Sequence, residues 1–171
     1  KYTISEIEEI IVGNNTMSTD DYVDCRLMDL VIEAFFNNFI FEELFSMLRS
    51  IEISPLDCLI YLLNHPKLHS KKIKETFNNF IVETNDLYDT WEEANASMHS
   101  PDIIEKYNKG EIGHNELLHY SGLLINEFGE ICDLIFKSVE EILTEKDLLT
   151  QDIKNYLLEL KKFTFMIKKD L

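Results

Sequence analysis

The stretch MSTDDYVDCRLMDLVIEAFFNNFIFEELFSMLRS, residues 17–50, decides the fold of this chain. It begins at a hydroxyl N-cap, Ser18, followed by acidic residues that suit the free N–H groups and positive dipole of a first helical turn. Apolar side chains then recur at spacings of three and four residues: Val23, Leu27, Leu30, Val31, Ala34 and Phe35. The stretch therefore predicts helices over 19–37 and 39–50, joined at Asn37-Asn38, with a wide apolar face that needs partners.

The rest of the chain carries similar patterns between caps and turns. We predict further helices over these segments: 3–12, Ser54-Pro55 to just before His65-Pro66, 70–99, Ser100-Pro101 to Lys109, 115–145 and 150–169. No segment alternates in the manner of a strand, and only five glycines and three prolines interrupt 171 residues. The fold class is therefore all-α, a bundle of about six or seven helices with no sheet, in a single domain over 1–171.

Three features of the predicted helices concern the interior. The single tryptophan, Trp91, continues the apolar stripe of the 70–99 helix, which is more typical of a core residue than of a ligand platform. Gly122 and Gly129 lie beside the apolar row of the 115–145 helix, where we expect them to let a neighbouring helix approach, with a hinge as the alternative. Cys25, Cys58 and Cys132 are odd in number and each stands in an apolar helical context. They indicate buried thiols in a reducing compartment.

The charge disfavours two classes of partner. Thirty-two acidic residues against sixteen basic ones give a formal net charge of −16, and no basic stripe offsets it. Such a surface repels phosphate, so we expect no nucleic-acid binding and no binding to an anionic membrane. No signal peptide is visible, and no apolar run reaches the eighteen or so residues of a membrane span. The expected location is cytoplasmic.

Chemistry-bearing residues are sparse. Glu116 and His119 form one Glu-x-x-His pair, whereas di-iron bundles use two such pairs and two further glutamates. His65 and His69 are separated by the helix-breaking Pro66 and are interpreted as loop histidines. His114 is expected as a neutral imidazole near the N-terminus of the 115–145 helix. With no Gly-rich phosphate loop, paired-Cys zinc ligands or nucleophile elbow, we assign no catalytic, cofactor-binding or metal-binding residue.

Aromatic residues crowd the junction at Asn37-Asn38: Phe35, Phe36, Phe39 and Phe41. They are more than one core face can take. Either this element is central and covered on all sides, or part of it docks on another domain or subunit.

Three segments together are similar to a known family. They are NNTMSTDDYVDCRLMDLVIEAFFNNFIFEELFSMLRSIEIS (14–54), KYNKGEIGHNELLHYSGLLINEF (106–128) and YLLELKKFTFMIKKDL (156–171). In order along the chain, they resemble the helical region that follows the barrel in cobalamin-binding radical S-adenosylmethionine (SAM) proteins. The shared features are a Thr-Met-Ser cap before Asp-Tyr and a Gly-Glu-Ile-Gly-x-Asn turn before a helix.

The resemblance implies a parent protein with a cobalamin-binding domain and a barrel whose three-Cys motif holds a [4Fe–4S] cluster that cleaves SAM. This chain has neither a Cys-x-x-x-Cys-x-x-Cys motif nor an Asp-x-His-x-x-Gly corrinoid signature, so no cofactor is expected in it. Since it begins at Lys1 with no initiating Met, we expect a C-terminal fragment. That fragment would cover the barrel or shape access to it, have no activity alone, and have the parent's other domains as partners, with a further protein partner as a possibility.

Two alternatives stand beside this hypothesis. A stand-alone helical interaction module would present a groove to a partner helix. A metal-dependent helical-bundle enzyme would use Glu116 and His119.

Overall fold

The computed structural model describes residues 8–168. Nine α-helices and no β-strand lie within that range: α1 (Thr19–Ile32), α2 (Glu42–Ser50), α3 (Pro55–Asn64), α4 (Lys71–Thr84), α5 (Trp91–Met98), α6 (Pro101–Lys109), α7 (Glu116–Asn126), α8 (Phe128–Glu145) and α9 (Gln151–Lys168). A π-helical turn, Glu33–Asn37, extends α1, and a 3₁₀ turn, Pro66–Leu68, follows α3. The prediction of an all-α bundle is confirmed, with two or three more helices than expected.

Local sequence explains most helix boundaries. Ser18 accepts from the backbone N–H of Asp21, whose carboxylate accepts in return from Ser18, so a capping box begins α1. Ser54 caps α3 with Pro55 at its first position, and Ser100 with Pro101 does the same for α6. These three predicted starts are confirmed. The two long predicted helices are not.

Both long helices are interrupted. The predicted 70–99 helix ends at Thr84, and Thr90 caps a separate helix, α5, by accepting from the N–H of Glu93. The predicted 115–145 helix breaks at Glu127, which has φ −95° and ψ 42° between α7 and α8. The apolar period continues across each break, so periodicity alone predicted one helix where there are two.

The predicted helix over 3–12 is wrong where the structure describes it, because residues 8–14 are not helical. Residues 3–7 of that prediction lie outside the described range. Asn14 instead organises the approach to α1, since its side-chain oxygen accepts from the backbone N–H groups of Thr16 and Met17. A side chain that satisfies the backbone of a turn in this way competes with a helix.

The core forms around α8. Its buried residues recur on nearly every turn: Ile131, Cys132, Leu134, Ile135, Phe136, Ser138, Val139, Ile142 and Leu143. α8 packs against α3, α7 and α9, while α1 packs against α3, α4 and α7. One connected apolar cluster results, to which α1 contributes Leu30 and Val31 with no exposed surface. α5 contributes only Ala94 to the buried residues and packs chiefly against α6.

Three predictions about the interior need correction. Trp91 is not core, because 52% of its surface is exposed at the start of α5, where the helix break has turned it away from the stripe of α4. Cys25 is exposed on α1, whereas Cys58 and Cys132 are buried as predicted. A Cβ on Gly122 would meet no atom within 4 Å, so this glycine admits no neighbouring helix, while a Cβ on Gly129 would lie 3.7 Å from the Phe165 ring of α9.

Candidate interaction surface

A polar cluster joins α1, α4 and α7 at the position of the predicted Glu-x-x-His pair. Glu116 accepts from the Arg26 guanidinium at 3.2 Å, and that guanidinium lies 5.7 Å above the centre of the Phe80 ring. One oxygen of Glu83 accepts from the Tyr120 hydroxyl at 2.8 Å, and the other lies 3.2 Å from His114 Nε2. The cluster ties three helices together through paired charges and a buried phenol.

The two residues of the metal hypothesis have different partners in the structure. Glu116 is paired with Arg26, whereas the His119 ring lies against His114, with ring centres 4.3 Å apart, and edge-on to Tyr120. Within residues 8–168, no three His, Cys, Asp or Glu residues are arranged to hold a metal ion. The arrangement therefore serves packing and charge pairing between helices.

The other histidines and the thiols are also separate from one another. The carbonyl of Tyr61 accepts from His65 Nδ1, and the carbonyl of Leu62 accepts from the buried His69 Nε2, each at 2.8 Å, so both rings fasten the turn after α3. Burial lowers the pKa of His69. Burial also raises the pKa of Cys58 to about 12 and of Cys132 to about 11, which keeps these thiols protonated and unreactive near neutral pH.

The phenylalanines at the junction after α1 divide between core and surface. Phe35 and Phe41 are fully buried, with ring centres 5.8 Å apart. Phe41 also stacks 6.4 Å from Phe128 at the start of α8, and Phe128 lies 5.7 Å from Phe165 on α9, which is exposed. A row of aromatic rings thus runs from the core to the surface at the C-terminal end of α9.

Phe39 is the most unusual residue of this region. Its φ of +54° is in the left-handed region, which a bulky L residue rarely adopts, and 68% of its surface is exposed. Its carbonyl accepts a 2.8 Å hydrogen bond from Lys168 Nζ, which also pairs with Glu43 at 3.0 Å. The last turn of α9 therefore holds the Phe39 backbone in place while its ring faces solvent.

We use the name terminal aromatic surface for five apolar residues at this end of the bundle: Phe36, Phe39, Phe165, Met166 and Ile167. All are exposed. Sequence analysis proposed that part of the 35–41 cluster could dock elsewhere, but it missed the contribution of α9. A signal was present in FTFMI, residues 163–167, because four apolar side chains among five consecutive residues extend around a helix, so they cannot all be buried in the core.

The Gly-Glu-Ile-Gly-x-Asn turn, residues 110–115, has a structural role. Gly110 and Gly113 have φ of +72° and +79°, and a Cβ on Gly113 would collide with the Tyr107 ring. Asn115 then caps α7 by accepting from the N–H of Leu118. The motif thus directs the chain from α6 into α7.

Comparison with protein-family models, with curated proteins and with solved structures finds no match. Among the described residues, no helix combines the length and the apolar character that crossing a bilayer requires.

Proposed function

We propose that this chain is a helical accessory domain that docks on another protein domain through the terminal aromatic surface. The observation that carries the proposal is Phe39: a bulky side chain held at a positive φ with its ring in solvent. A left-handed L residue costs on the order of 1 kcal/mol, and such strain persists where the surrounding structure enforces it. No aromatic contact of the Phe39 ring is found among residues 8–168. A partner that packs against this ring would explain why a strained residue keeps an exposed aromatic side chain.

The neighbouring residues fit a docking role. Met166 and Ile167 are exposed in the last turn of α9, the turn from which Lys168 contacts the Phe39 carbonyl, and methionine and phenylalanine are typical of interface cores. Lys168 fastens α9 to the junction through Phe39 and Glu43, so the surface is rigid before a partner arrives. Preorganisation of this kind reduces the entropy lost on association.

The polar cluster of α1, α4 and α7 supports a structural role better than a catalytic one. Glu116 and Glu83 are already paired with Arg26 and Tyr120, and these pairs connect helices. Removing one partner of such a pair leaves a half-buried charge unsatisfied, which favours a structural assignment. The metal-dependent alternative built on Glu116 and His119 gains nothing from this geometry.

The partner we propose is the barrel domain of a cobalamin-binding radical SAM protein. That identity rests on the sequence resemblance alone, and under it the [4Fe–4S] cluster, SAM and cobalamin belong to the parent protein's other domains. The first test is to read the open reading frame upstream of Lys1. A three-Cys motif and a corrinoid-binding segment there would support this partner. Their absence would overturn it and leave a helical module whose docking partner is a different protein.

Docking itself is tested by hydrogen exchange on the product of the whole reading frame, compared with the isolated 171-residue chain. Backbone amides around Phe39 and in the last turn of α9 should exchange more slowly in the whole product, because a docked domain excludes water there. Phe39→Asn should remove the added protection. Val82→Asn is the control, since Val82 is 70% exposed on α4 outside this surface. Equal exchange in the whole product and in the isolated chain would contradict docking.

A further inference from the structure

A second exposed feature lies at Trp91, on elements that the terminal aromatic surface does not include. A groove of about 780 Å³ is lined by Glu8, Glu9, Ile10 and Val12, by Thr19 at the start of α1, by the loop that joins α4 to α5, and by α5 itself. Its apolar lining includes Ile10, Leu87, Tyr88, Trp91 and Met98. We call it the Trp91 groove. Its volume lies within the range of about 300–1,000 Å³ that is usual for ligand-binding clefts.

Two aromatic rings in the groove are exposed yet held in place. Trp91 is the first residue of α5, and Tyr88 is 48% exposed just before it. The Tyr88 hydroxyl lies 2.7 Å from Ser97 Oγ, within hydrogen-bonding distance, which fastens the loop to α5. Trp91 is therefore presented by α5 itself, and Tyr88 by a loop that this contact ties to α5. Exposed faces of Trp and Tyr attract cations through the ring quadrupole.

The charges around these rings all have one sign. Glu8 and Glu9 line the groove from the segment before α1, and Asp86 and Asp89 line it from the loop after α4. Among residues 8–168, no Lys, Arg or His lines it, and none of these four carboxylates forms an ion pair with a residue of that range.

We infer that the Trp91 groove binds a basic peptide segment of a partner protein, with Lys or Arg side chains against the Trp91 and Tyr88 rings and between the carboxylates. Apolar side chains of the same segment would contact Leu87, Ile10 and Met98. The charge complementarity decides the occupant. Carboxylates from two separate chain segments line the groove, so a segment with several cations neutralises them, whereas one small cation leaves most of them unpaired.

The test uses the full chain and its own fluorescence, because Trp91 is its only tryptophan. The probe is a synthetic decapeptide of alternating lysine and leucine, and the control is its glutamate–leucine counterpart. The lysine peptide should shift Trp91 emission in a saturable way, and the glutamate peptide should not. Binding should weaken with added salt because the contributing charges are exposed. If the lysine peptide leaves Trp91 emission unchanged, the proposal is wrong.

Matched variants separate the groove from general attraction to an acidic protein. The double variant D86N/D89N should weaken lysine-peptide binding about tenfold, which corresponds to roughly 1.4 kcal/mol. D24N/D147N removes the same charge from exposed positions outside the groove lining and should leave the affinity within about twofold. Equal weakening by both double variants would overturn the proposal, since binding would then follow net charge alone.

Two further measurements address alternative occupants. Tyr88→Leu keeps an apolar side chain but removes the aromatic face, and it should weaken the lysine peptide by about threefold to fivefold. Tetramethylammonium should bind much more weakly than the peptide. If it binds equally well, the groove is a site for a small organic cation and the inference of a peptide partner fails. Since this groove shares no residue with the terminal aromatic surface, failure here would leave the proposed docking function standing.

Discussion

The hydroxyl of Tyr120 on α7 donates a 2.8 Å hydrogen bond to the carboxylate of Glu83 on α4. Tyr120 is only 7% exposed, and its ring meets Phe80 edge-on with centres 5.3 Å apart. The pair therefore combines a charge-assisted hydrogen bond with core packing at one point between two helices. Hydrogen bonds to a charged group contribute about 1.5–3 kcal/mol when they are buried, and less when, as for Glu83, the carboxylate is partly exposed.

Tyr120→Phe removes the hydroxyl and keeps the ring. We expect it to lower the free energy of unfolding by about 1–2 kcal/mol, because Glu83 loses a donor while the contact with Phe80 remains. Urea denaturation measures this as a lower midpoint at an unchanged slope. The matched control is Tyr156→Phe, since Tyr156 is 53% exposed on α9. A midpoint for Tyr120→Phe equal to that of the control would show that the hydrogen bond contributes nothing.

Alkaline pH should destabilise the fold. Burial, with a further contribution from Glu83, raises the pKa of Tyr120 to about 12, and burial raises those of Cys58 and Cys132 to about 12 and about 11. Because these values exceed the ordinary 10.0 for tyrosine and 9.0 for cysteine, the unfolded chain releases its protons first as pH rises. The stabilisation is therefore complete below pH 9 and is lost progressively between about pH 9 and 12.

Urea midpoints at pH 8.0, 9.5 and 10.5, each after a short incubation, measure this loss. Tyr120→Phe should decline less steeply above pH 10 than the unsubstituted chain, because one of the groups responsible is gone. Tyr156→Phe should follow the unsubstituted chain. A midpoint that stays constant up to pH 10.5 would contradict the assignment of these buried protonated groups.

The three cysteines should differ sharply in alkylation. Cys25 is exposed on α1, whereas Cys58 and Cys132 are buried and hold their protons. Iodoacetamide at pH 8 should therefore add one group quickly to the folded chain and three in 8 M urea, and mass spectrometry distinguishes these products. Cys25→Ser should abolish the fast addition. Rapid modification of Cys58 or Cys132 in the folded chain would mean that the α8 core opens locally.

Local signals predicted much of the fold, and the errors have a common physical cause. Ser18, Ser54-Pro55 and Ser100-Pro101 each satisfy backbone N–H groups within one turn, so their effect can be read from neighbouring residues. The break at Glu127 coincides instead with a distant contact, its 2.7 Å ion pair with Lys72 on α4. The exposure of Trp91 follows from the break before α5. The apolar periodicity of one segment cannot indicate which residues of a distant segment it contacts.

The candidate surface was predictable only in part for the same reason. The crowding of Phe35, Phe36, Phe39 and Phe41 indicated that some rings would lie outside the core, but not which ones. That Phe39 is exposed depends on its positive φ and on the hydrogen bond from Lys168, which is 129 residues away in the chain. Long-range contacts of this kind require the folded arrangement of α9 against the junction.

Phe39→Asn tests whether the Phe39 side chain serves the fold or a partner. Asparagine adopts a positive φ more readily than phenylalanine, and the Phe39 ring has little buried surface to lose. The hydrogen bonds made by the Phe39 N–H and carbonyl belong to the backbone, so both survive the substitution. We expect the free energy of unfolding of the isolated chain to rise by up to about 1 kcal/mol, measured by urea denaturation.

Phe36→Asn is the contrasting variant. The Phe36 ring packs 5.4 Å from Phe45, and its backbone lies in the π-helical turn after α1, so asparagine there should destabilise the chain by about 1–3 kcal/mol. If replacing Phe39 stabilises the isolated chain, the Phe39 ring does not serve the fold. That result would agree with the role of this ring in docking. If Phe39→Asn instead destabilises the chain as much as Phe36→Asn, the ring serves internal packing, and the main argument for the terminal aromatic surface is lost.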